Sequence, residues 1–152
     1  MKEKIILLVE DNPYDEALTR EAFKINQFEH KIIHAKDGEE ALNILLLNPE
    51  SHGINYEKND LIILLDLKLP KINGIEVLKE IRAHKLTQCL PVIILTSSKE
   101  EKDVLNSYLY TANSYLRKPV DFAEFVTVVK ALGDYWLKYN ESPPVFLSSE
   151  DK

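Results

Sequence analysis

Three acidic side chains directly follow two apolar stretches of the sequence. Glu10 and Asp11 come after residues 4–9, and Asp66 comes after residues 61–65. Three carboxylates that meet in one place repel one another unless a cation lies among them. Carboxylate oxygens that leave room for water and phosphate oxygens suit Mg²⁺ best, with Mn²⁺ as a substitute. These residues therefore predict a divalent metal site.

A hydroxyl group and an ammonium group follow two further apolar stretches. Thr96 comes after residues 92–95, and Lys118 closely follows residues 114–116. A carboxylate nucleophile, a cation, a hydroxyl donor and an ammonium group are the parts needed to move a phosphoryl group. In this interpretation Asp66 attacks phosphorus, the metal and Lys118 neutralise the phosphoryl oxygens, and Thr96 donates a hydrogen bond to one of them.

The elements that must position these residues alternate along the chain. Short stretches rich in β-branched and large apolar residues are typical of buried strands. They lie at residues 4–9, 31–35, 61–65, 92–95 and 114–116. The amphipathic stretches between them open with helix-capping patterns. The patterns are Asn12 before Pro13, Asp37 with Glu40, Asn73 with Glu76, Ser98 with Glu101, and Asp121 with Glu124.

The last helix carries an apolar stripe at helical spacing. Its members are Phe122, Phe125, Val126, Val129, Leu132 and Trp136. Five strands that alternate with five helices predict a parallel sheet with helices on both faces, which is a three-layer α/β/α fold. In such a sheet the functional site forms where the strands end, at the carboxyl edge. The candidate site residues all fall at predicted strand ends.

Length and charge limit the classes of function. A chain of 152 residues fits one domain with a real hydrophobic core. The net charge of −6 argues against nucleic-acid binding, which needs a surplus of basic residues on one face. The single cysteine favours a reducing compartment, and the apolar run near the start is too short for a signal peptide or a membrane span. We therefore expect a cytoplasmic protein that has neither nucleic acid nor membrane as a partner.

The motifs around the candidate residues resemble those of the receiver domains of two-component response regulators. They read "ILLVEDN", "LIILLDLKLPKINGIEVL", "PVIILTSS" and "YLRKPVD", and the resemblance extends over residues 4–138. Asp66 and Thr96 lie 30 positions apart, and Thr96 and Lys118 lie 22 positions apart, as in the family. The resemblance implies a flavodoxin-like (βα)5 doubly wound sheet. It also implies a single-domain signalling protein, not an enzyme, that accepts a phosphoryl group from a sensor histidine kinase on Asp66.

The resemblance further implies a set of metal and phosphoryl ligands. Asp11, Asp66 and the backbone carbonyl of Lys68 are expected to bind the cation, with Glu10 acting through water. Ser97 is expected to offer its backbone N–H to the phosphoryl group, which Lys68 also contacts.

The family's switch is a coupled movement of a hydroxyl and an aromatic residue, here Thr96 and Tyr115. When the phosphoryl group draws Thr96 inward, Tyr115 is expected to swing into the space that opens, and the surface around the fourth helix and fifth strand changes. In the family the bond that corresponds to Lys118–Pro119 is cis, which aims the lysine at the site.

Three features are similar to those of the response regulators of cyanobacterial and bacterial phytochromes. They are an inserted loop at residues 48–59 after the second helix, the sequence "YWL" at residues 135–137, and a tail at 141–152 after a receiver domain at 1–140. This likeness implies a phytochrome-type kinase as donor, while the downstream protein stays unknown. Homodimers are common in the subgroup, and we hypothesise that Tyr135, Trp136 and Phe146 contribute to one.

Rival interpretations make different demands on the sequence. A haloacid dehalogenase-like phosphatase needs a second acid two residues after the nucleophile, where this chain has Lys68. A nucleotide-binding fold needs a glycine-rich phosphate loop, but the four glycines are scattered. A DNA-binding output domain needs more residues than follow the fifth helix. An inert flavodoxin-like binding module, whose acids are only surface charge, remains open at this point.

Overall fold

The computed structural model describes residues 2–144. Its strands are β1 (Glu3–Val9), β2 (Lys31–Ala35), β3 (Asn59–Leu65), β4 (Val92–Thr96) and β5 (Ser114–Arg117). They form one parallel sheet in the order β2-β1-β3-β4-β5. The predicted α/β fold is confirmed. The central strands read as nearly continuous aliphatic runs because helices cover both faces of the sheet.

The α-helices are α1 (Pro13–Ile25), α2 (Gly38–Leu42), α3 (Gly74–Ala83), α4 (Glu101–Leu109) and α5 (Phe122–Gly133). Two of them are each followed directly by a short π-helical segment, which is Asn43–Leu47 after α2 and Asp134–Tyr139 after α5. Alternate residues of the strands point to opposite faces of the sheet. Those on one face pack with α2 and α3, and those on the other pack with α1 and α5. In the stripe predicted for the last helix, Phe125, Val129 and Leu132 are buried, and the other three residues are partly buried against the same core.

Four of the five predicted helix caps are confirmed. The side chains of Asn12, Asp37, Asn73 and Asp121 each accept a hydrogen bond from a backbone N–H in the first turn of the helix that follows. The prediction for Ser98 was wrong, because α4 begins at Glu101. The Ser98 hydroxyl instead donates to the carboxylate of Asp103, in the first turn of α4, through a charge-assisted hydrogen bond.

The predicted inserted loop, residues 48–59, is more ordered than its polar composition indicated. It contains a short 3₁₀ helix, Glu50–His52, and its last residue already pairs with β1 as the first residue of β3. Ile54 and Tyr56 are buried in the core, and the Tyr56 hydroxyl donates to the Leu45 carbonyl at 3.0 Å. Since the segment leads into the start of β3, it lies at the amino edge of the sheet, away from the candidate site.

Within residues 2–144, no helix is both long and apolar enough to span a lipid bilayer.

Candidate functional site

The carboxyl edge of the sheet brings the predicted residues together. Glu10 and Asp11 follow β1, Asp66 follows β3, Thr96 ends β4, and Lys118 follows β5. Backbone hydrogen bonds extend the strand pairing to this edge: Asp66 N–H donates to the Val9 carbonyl at 3.1 Å, and Lys118 N–H donates to the Thr96 carbonyl at 2.8 Å. The strand pairing therefore fixes the backbone position of each of these residues.

The three acids form one cluster. Glu10, Asp11 and Asp66 each offer a carboxylate oxygen, and the three oxygens lie within 4.8 Å of one another. Glu10 is buried, Asp66 is half-buried and Asp11 is exposed, so the cluster opens to solvent on one side. Carboxylate oxygens with an open side match the needs of Mg²⁺ or Mn²⁺, which bind a few protein oxygens and keep several waters. The donor set therefore fits a divalent metal ion.

Lys118 bridges two of these acids from the β5 side. Its ammonium group donates to Glu10 Oε1 and lies 3.2 Å from Asp66 Oδ2. The lysine side chain is only 13% exposed, so these ion pairs are shielded from bulk water. The predicted meeting of Asp66 with Lys118 is thus present in the structure.

Burial and charge act against each other on this pair. Burial raises the pKa of Glu10, and the neighbouring ammonium group of Lys118 only partly offsets that effect. Burial by itself lowers the pKa of Lys118, but the carboxylates of Asp66 and Glu10 outweigh it, and the net direction is upward. Lys118 therefore stays charged at neutral pH. A divalent cation among the acids favours the ionised form of Glu10 in the same way.

The loop after β3 shapes the site on its α3 side. Lys68 N–H donates to Asp66 Oδ1 at 3.2 Å, which holds the carboxylate against its own loop. Gly74 begins α3 directly under this loop, and a Cβ atom there would lie 2.3 Å from the Asp66 carbonyl oxygen. Any larger residue at this position would push the loop, and Asp66 with it, out of place.

The two predicted switch residues lie on neighbouring strands, Thr96 on β4 and Tyr115 on β5. Thr96 is fully buried, and its hydroxyl oxygen accepts a long hydrogen bond, 3.4 Å, from Ser98 N–H. Tyr115 is half-buried and donates from its hydroxyl to the Ser98 carbonyl at 2.9 Å. Burial raises the pKa of the Tyr115 phenol, so it remains a hydrogen-bond donor at neutral pH.

Ser97 follows Thr96, the last residue of β4. It is exposed and lines a cleft of about 290 Å³ together with Lys118, Pro119 and side chains of α1 and α5.

One expectation taken from the family was wrong. No peptide bond within residues 2–144 is cis, so the Lys118–Pro119 bond is trans. Trans is the lower-energy form of a bond to proline. Lys118 nevertheless reaches the acids, because its hydrogen bond to the Thr96 carbonyl holds its backbone against the end of β4.

Two contacts of the site escaped the sequence interpretation. Asp103 binds the Ser98 hydroxyl at 2.5 Å, and the His34 ring nitrogen Nε2 lies 2.7 Å from the Glu10 carbonyl oxygen. His34 belongs to β2, the edge strand that pairs with β1. Knowledge of the strand order would therefore be enough to predict this contact. The contact of Asp103 joins the loop after β4 to the first turn of α4, five positions further along the chain, and the capping pattern predicted for Ser98 does not include it.

Comparison with known proteins identifies the family. The chain belongs to the response regulator receiver domain family, whose profile matches residues 6–130. It is 39% identical to the probable methanogenesis regulatory protein FilR2 of Methanothrix harundinacea, over 91% of this chain and 87% of that protein. It is 37% identical to the response regulator Rcp1 of Synechocystis sp., over 89% of this chain and 90% of Rcp1.

Solved structures agree with the sequence comparison. The phosphorylated cyanobacterial phytochrome response regulator RcpA superposes with a TM-score of 0.83 and 35% identity, over 93% of this chain and 99% of that one. The Mn²⁺-bound form of Rcp1 gives a TM-score of 0.81 and 35% identity, over 92% and 99% of the two chains. The predicted resemblance, the flavodoxin-like fold and the assignment to two-component signalling are confirmed. These relatives support neither a phosphatase of the haloacid dehalogenase type nor an inert binding module.

Proposed function

We propose that Asp66 accepts a phosphoryl group from the phosphohistidine of a sensor histidine kinase. The observation that carries the proposal is the position of the Lys118 ammonium group, 3.2 Å from Asp66 Oδ2 and within the cluster of Glu10, Asp11 and Asp66. A carboxylate that lies between acids and a buried cation has the surroundings that an acyl phosphate needs. The protein promotes only its own phosphorylation and dephosphorylation.

The reaction transfers one phosphoryl group from the kinase to Asp66. An Asp66 carboxylate oxygen forms a bond to phosphorus while the bond between phosphorus and the kinase's imidazole nitrogen breaks, and the imidazole leaves with the electron pair of that bond. A divalent metal would be held by Asp11, Asp66 and the Lys68 carbonyl, with Glu10 acting through water, and would supply positive charge that neutralises the phosphoryl oxygens.

The remaining residues act on the phosphoryl oxygens and on the readout. Lys118 compensates the charge that moves onto the site, Ser97 N–H and Lys68 contact the phosphoryl group, and Thr96 donates its hydroxyl. Movement of Thr96 then frees Tyr115 to change its position. The altered surface near α4 and β5 is what a downstream protein recognises.

The similarity to Rcp1 and RcpA supports a phytochrome-type kinase as donor, because the name of RcpA describes a phytochrome response regulator. The encounter is proposed to take place in the cytoplasm. We assign residues 1–140 to the receiver unit and 141–152 to a tail. The family match ends at residue 130, but the π-helical segment Asp134–Tyr139 continues α5 beyond it, which supports a boundary near residue 140.

Phosphorylation by a small molecule tests this proposal without the kinase. With Mg²⁺ and acetyl phosphate, intact-mass measurement is expected to show the gain of one phosphoryl group, and Asp66→Asn is expected to abolish it because the amide is not a nucleophile. Asp60→Asn is the matched control, since Asp60 lies at the opposite end of the same strand. A phosphoryl group that still appears on Asp66→Asn would show that another residue is the acceptor.

A further inference from the structure

Ser98 contacts both proposed switch residues. Its N–H donates to the Thr96 hydroxyl oxygen at 3.4 Å, and its carbonyl accepts the Tyr115 hydroxyl at 2.9 Å. The residue is buried, with 5% of its surface exposed. A displacement of Thr96 or of Tyr115 therefore acts directly on Ser98.

The side chain of Ser98 makes its strongest contact with α4. Its hydroxyl donates to Asp103 Oδ2 at 2.5 Å, while the two contacts of its backbone are longer. A hydrogen bond to an ionised carboxylate is roughly twice as strong as a bond between neutral groups. Ser98 thus joins the proposed switch to a helix that contains no residue of the site.

Helix α4 has few other attachments to the core. Within α4, whose residues are all described, only Ser107 is buried, and Leu105 and Leu109 are 60% and 64% exposed. At the start of the helix, Glu100 makes no side-chain capping bond within the described part of the chain. An element with little buried apolar surface is held by its remaining polar contacts, so one strong bond has a large share in its position.

We propose that Asp103 is a positioning residue that couples the phosphorylation site to α4 through the Ser98 hydroxyl. The inference rests on the proposed function and adds to it the connection between Thr96, Tyr115 and the helix. When Thr96 turns toward a phosphoryl group on Asp66, Ser98 N–H loses its weak acceptor and the residue shifts. The bond to Asp103 transmits that shift to α4.

Hydrogen exchange of the α4 amides measures this coupling directly. Wild type and variants are compared with Mg²⁺ alone and with Mg²⁺ plus acetyl phosphate, and intact mass reports phosphorylation in the same samples. In Asp103→Ala we expect α4 to exchange about tenfold faster before phosphorylation, because a bond to a charged group is lost. We also expect its exchange to respond little to phosphorylation, although Asp66 is still modified.

Four further variants isolate the bond. Glu101→Ala removes an exposed acid from the first turn of the same helix and is expected to behave like wild type. Asp103→Asn keeps an acceptor oxygen and is expected to restore most of the response. Ser98→Ala is expected to reproduce the effect of Asp103→Ala, and the double variant to add nothing further, because both changes remove the same bond.

The outcomes separate the two proposals. Wild type that gains no phosphoryl group would contradict the proposed function. If wild type is phosphorylated but Asp103→Ala shows wild-type exchange of α4 in both states, the coupling is wrong and the proposed function stands. Additive effects in the double variant would likewise overturn it, since they would show that Ser98 and Asp103 act separately.

Discussion

At the scale of single residues, the balance of charge describes the site. The three carboxylates of Glu10, Asp11 and Asp66 face one ammonium group, that of Lys118, and Asp15 lies 3.9 Å from the same group, so the lysine leaves most of this negative charge uncompensated. A divalent cation supplies further positive charge. An incoming phosphoryl group adds further negative charge, so both the metal and Lys118 are needed to hold the acyl phosphate.

Substitution of Lys118 separates these two roles. Lys118→Ala is expected to bind Mg²⁺ at least as tightly as wild type, because a competing cation is gone, and calorimetry measures this. Phosphorylation by acetyl phosphate is expected to slow about 100-fold, the usual cost of losing one preorganised partner of the transition state. The exposed Lys130 provides the control as Lys130→Ala. An unchanged rate in Lys118→Ala would remove Lys118 from the mechanism.

At the scale of secondary structure, the same capping pattern succeeds at one helix and fails at another. Asp37 and Ser98 both stand three residues before a glutamate. Asp37 accepts from Glu40 N–H at 2.8 Å, as the pattern predicts. Ser98 bonds to Asp103 instead, and α4 starts without a side-chain cap in this part of the described chain. A different local contact, to the side chain of Asp103 in the first turn of α4, thus takes the place of the predicted cap.

The cap of α2 has a predictable pH dependence. The hydrogen bond from Glu40 N–H, with help from the Lys71 ammonium group, lowers the pKa of Asp37 although burial opposes this. A lowered folded-state pKa means that the charge stabilises the fold above the ordinary aspartate pKa of about 4, and that this contribution is lost as pH falls through the folded-state value.

Asp37→Asn keeps a capping side chain but removes the charge. We expect the variant to be less stable than wild type by about 0.5–1 kcal/mol at pH 7 and the difference to shrink below about pH 4. Urea unfolding at several pH values measures it. Glu39→Gln, which removes an exposed charge from the same turn, is the control. A difference that does not vary with pH would show that the charge of Asp37 has no part in it.

At the scale of the whole molecule, the two edges of the sheet have different roles, one in the site and one in the stability of the core. The carboxyl edge holds the acids, the hydroxyl and the lysine, while the segment before β3 covers the amino edge with Ile54 and Tyr56. Burial raises the pKa of the Tyr56 phenol, so it stays protonated and keeps its bond to the Leu45 carbonyl. The segment therefore stabilises the core without contact with the site.

The end of α5 is where we expect two copies of the chain to associate. Tyr135 is 52% exposed, whereas Trp136 packs partly against its own core and contacts Tyr135 edge-on. Phe146, the third residue of the dimer hypothesis, lies outside the described residues. Tyr135 thus offers the accessible apolar surface, and the ring of Trp136 packs against it.

Light scattering at high protein concentration tests the association, with Mg²⁺ alone and with acetyl phosphate added. We expect dimers of wild type and weaker association of Tyr135→Glu, because the substitution places a charge in the apolar contact. Tyr14→Glu alters a tyrosine on α1 that is even more exposed, at 69%, and is expected to leave association unchanged. Monomers of wild type under both conditions would rule the dimer out.

The sequence by itself determined the order of strands and helices, the fold class and the edge at which Asp66, Thr96 and Lys118 meet. It could do so because apolar periodicity and strand-end positions are local properties of the chain. Only the tertiary structure decided that Lys118 pairs with Glu10 as well as with Asp66, that His34 lies 2.7 Å from the Glu10 carbonyl oxygen, and that Ile54 and Tyr56 pack into the core. Each of these contacts joins groups from different elements, and the sequence pattern around either partner carries no record of the other.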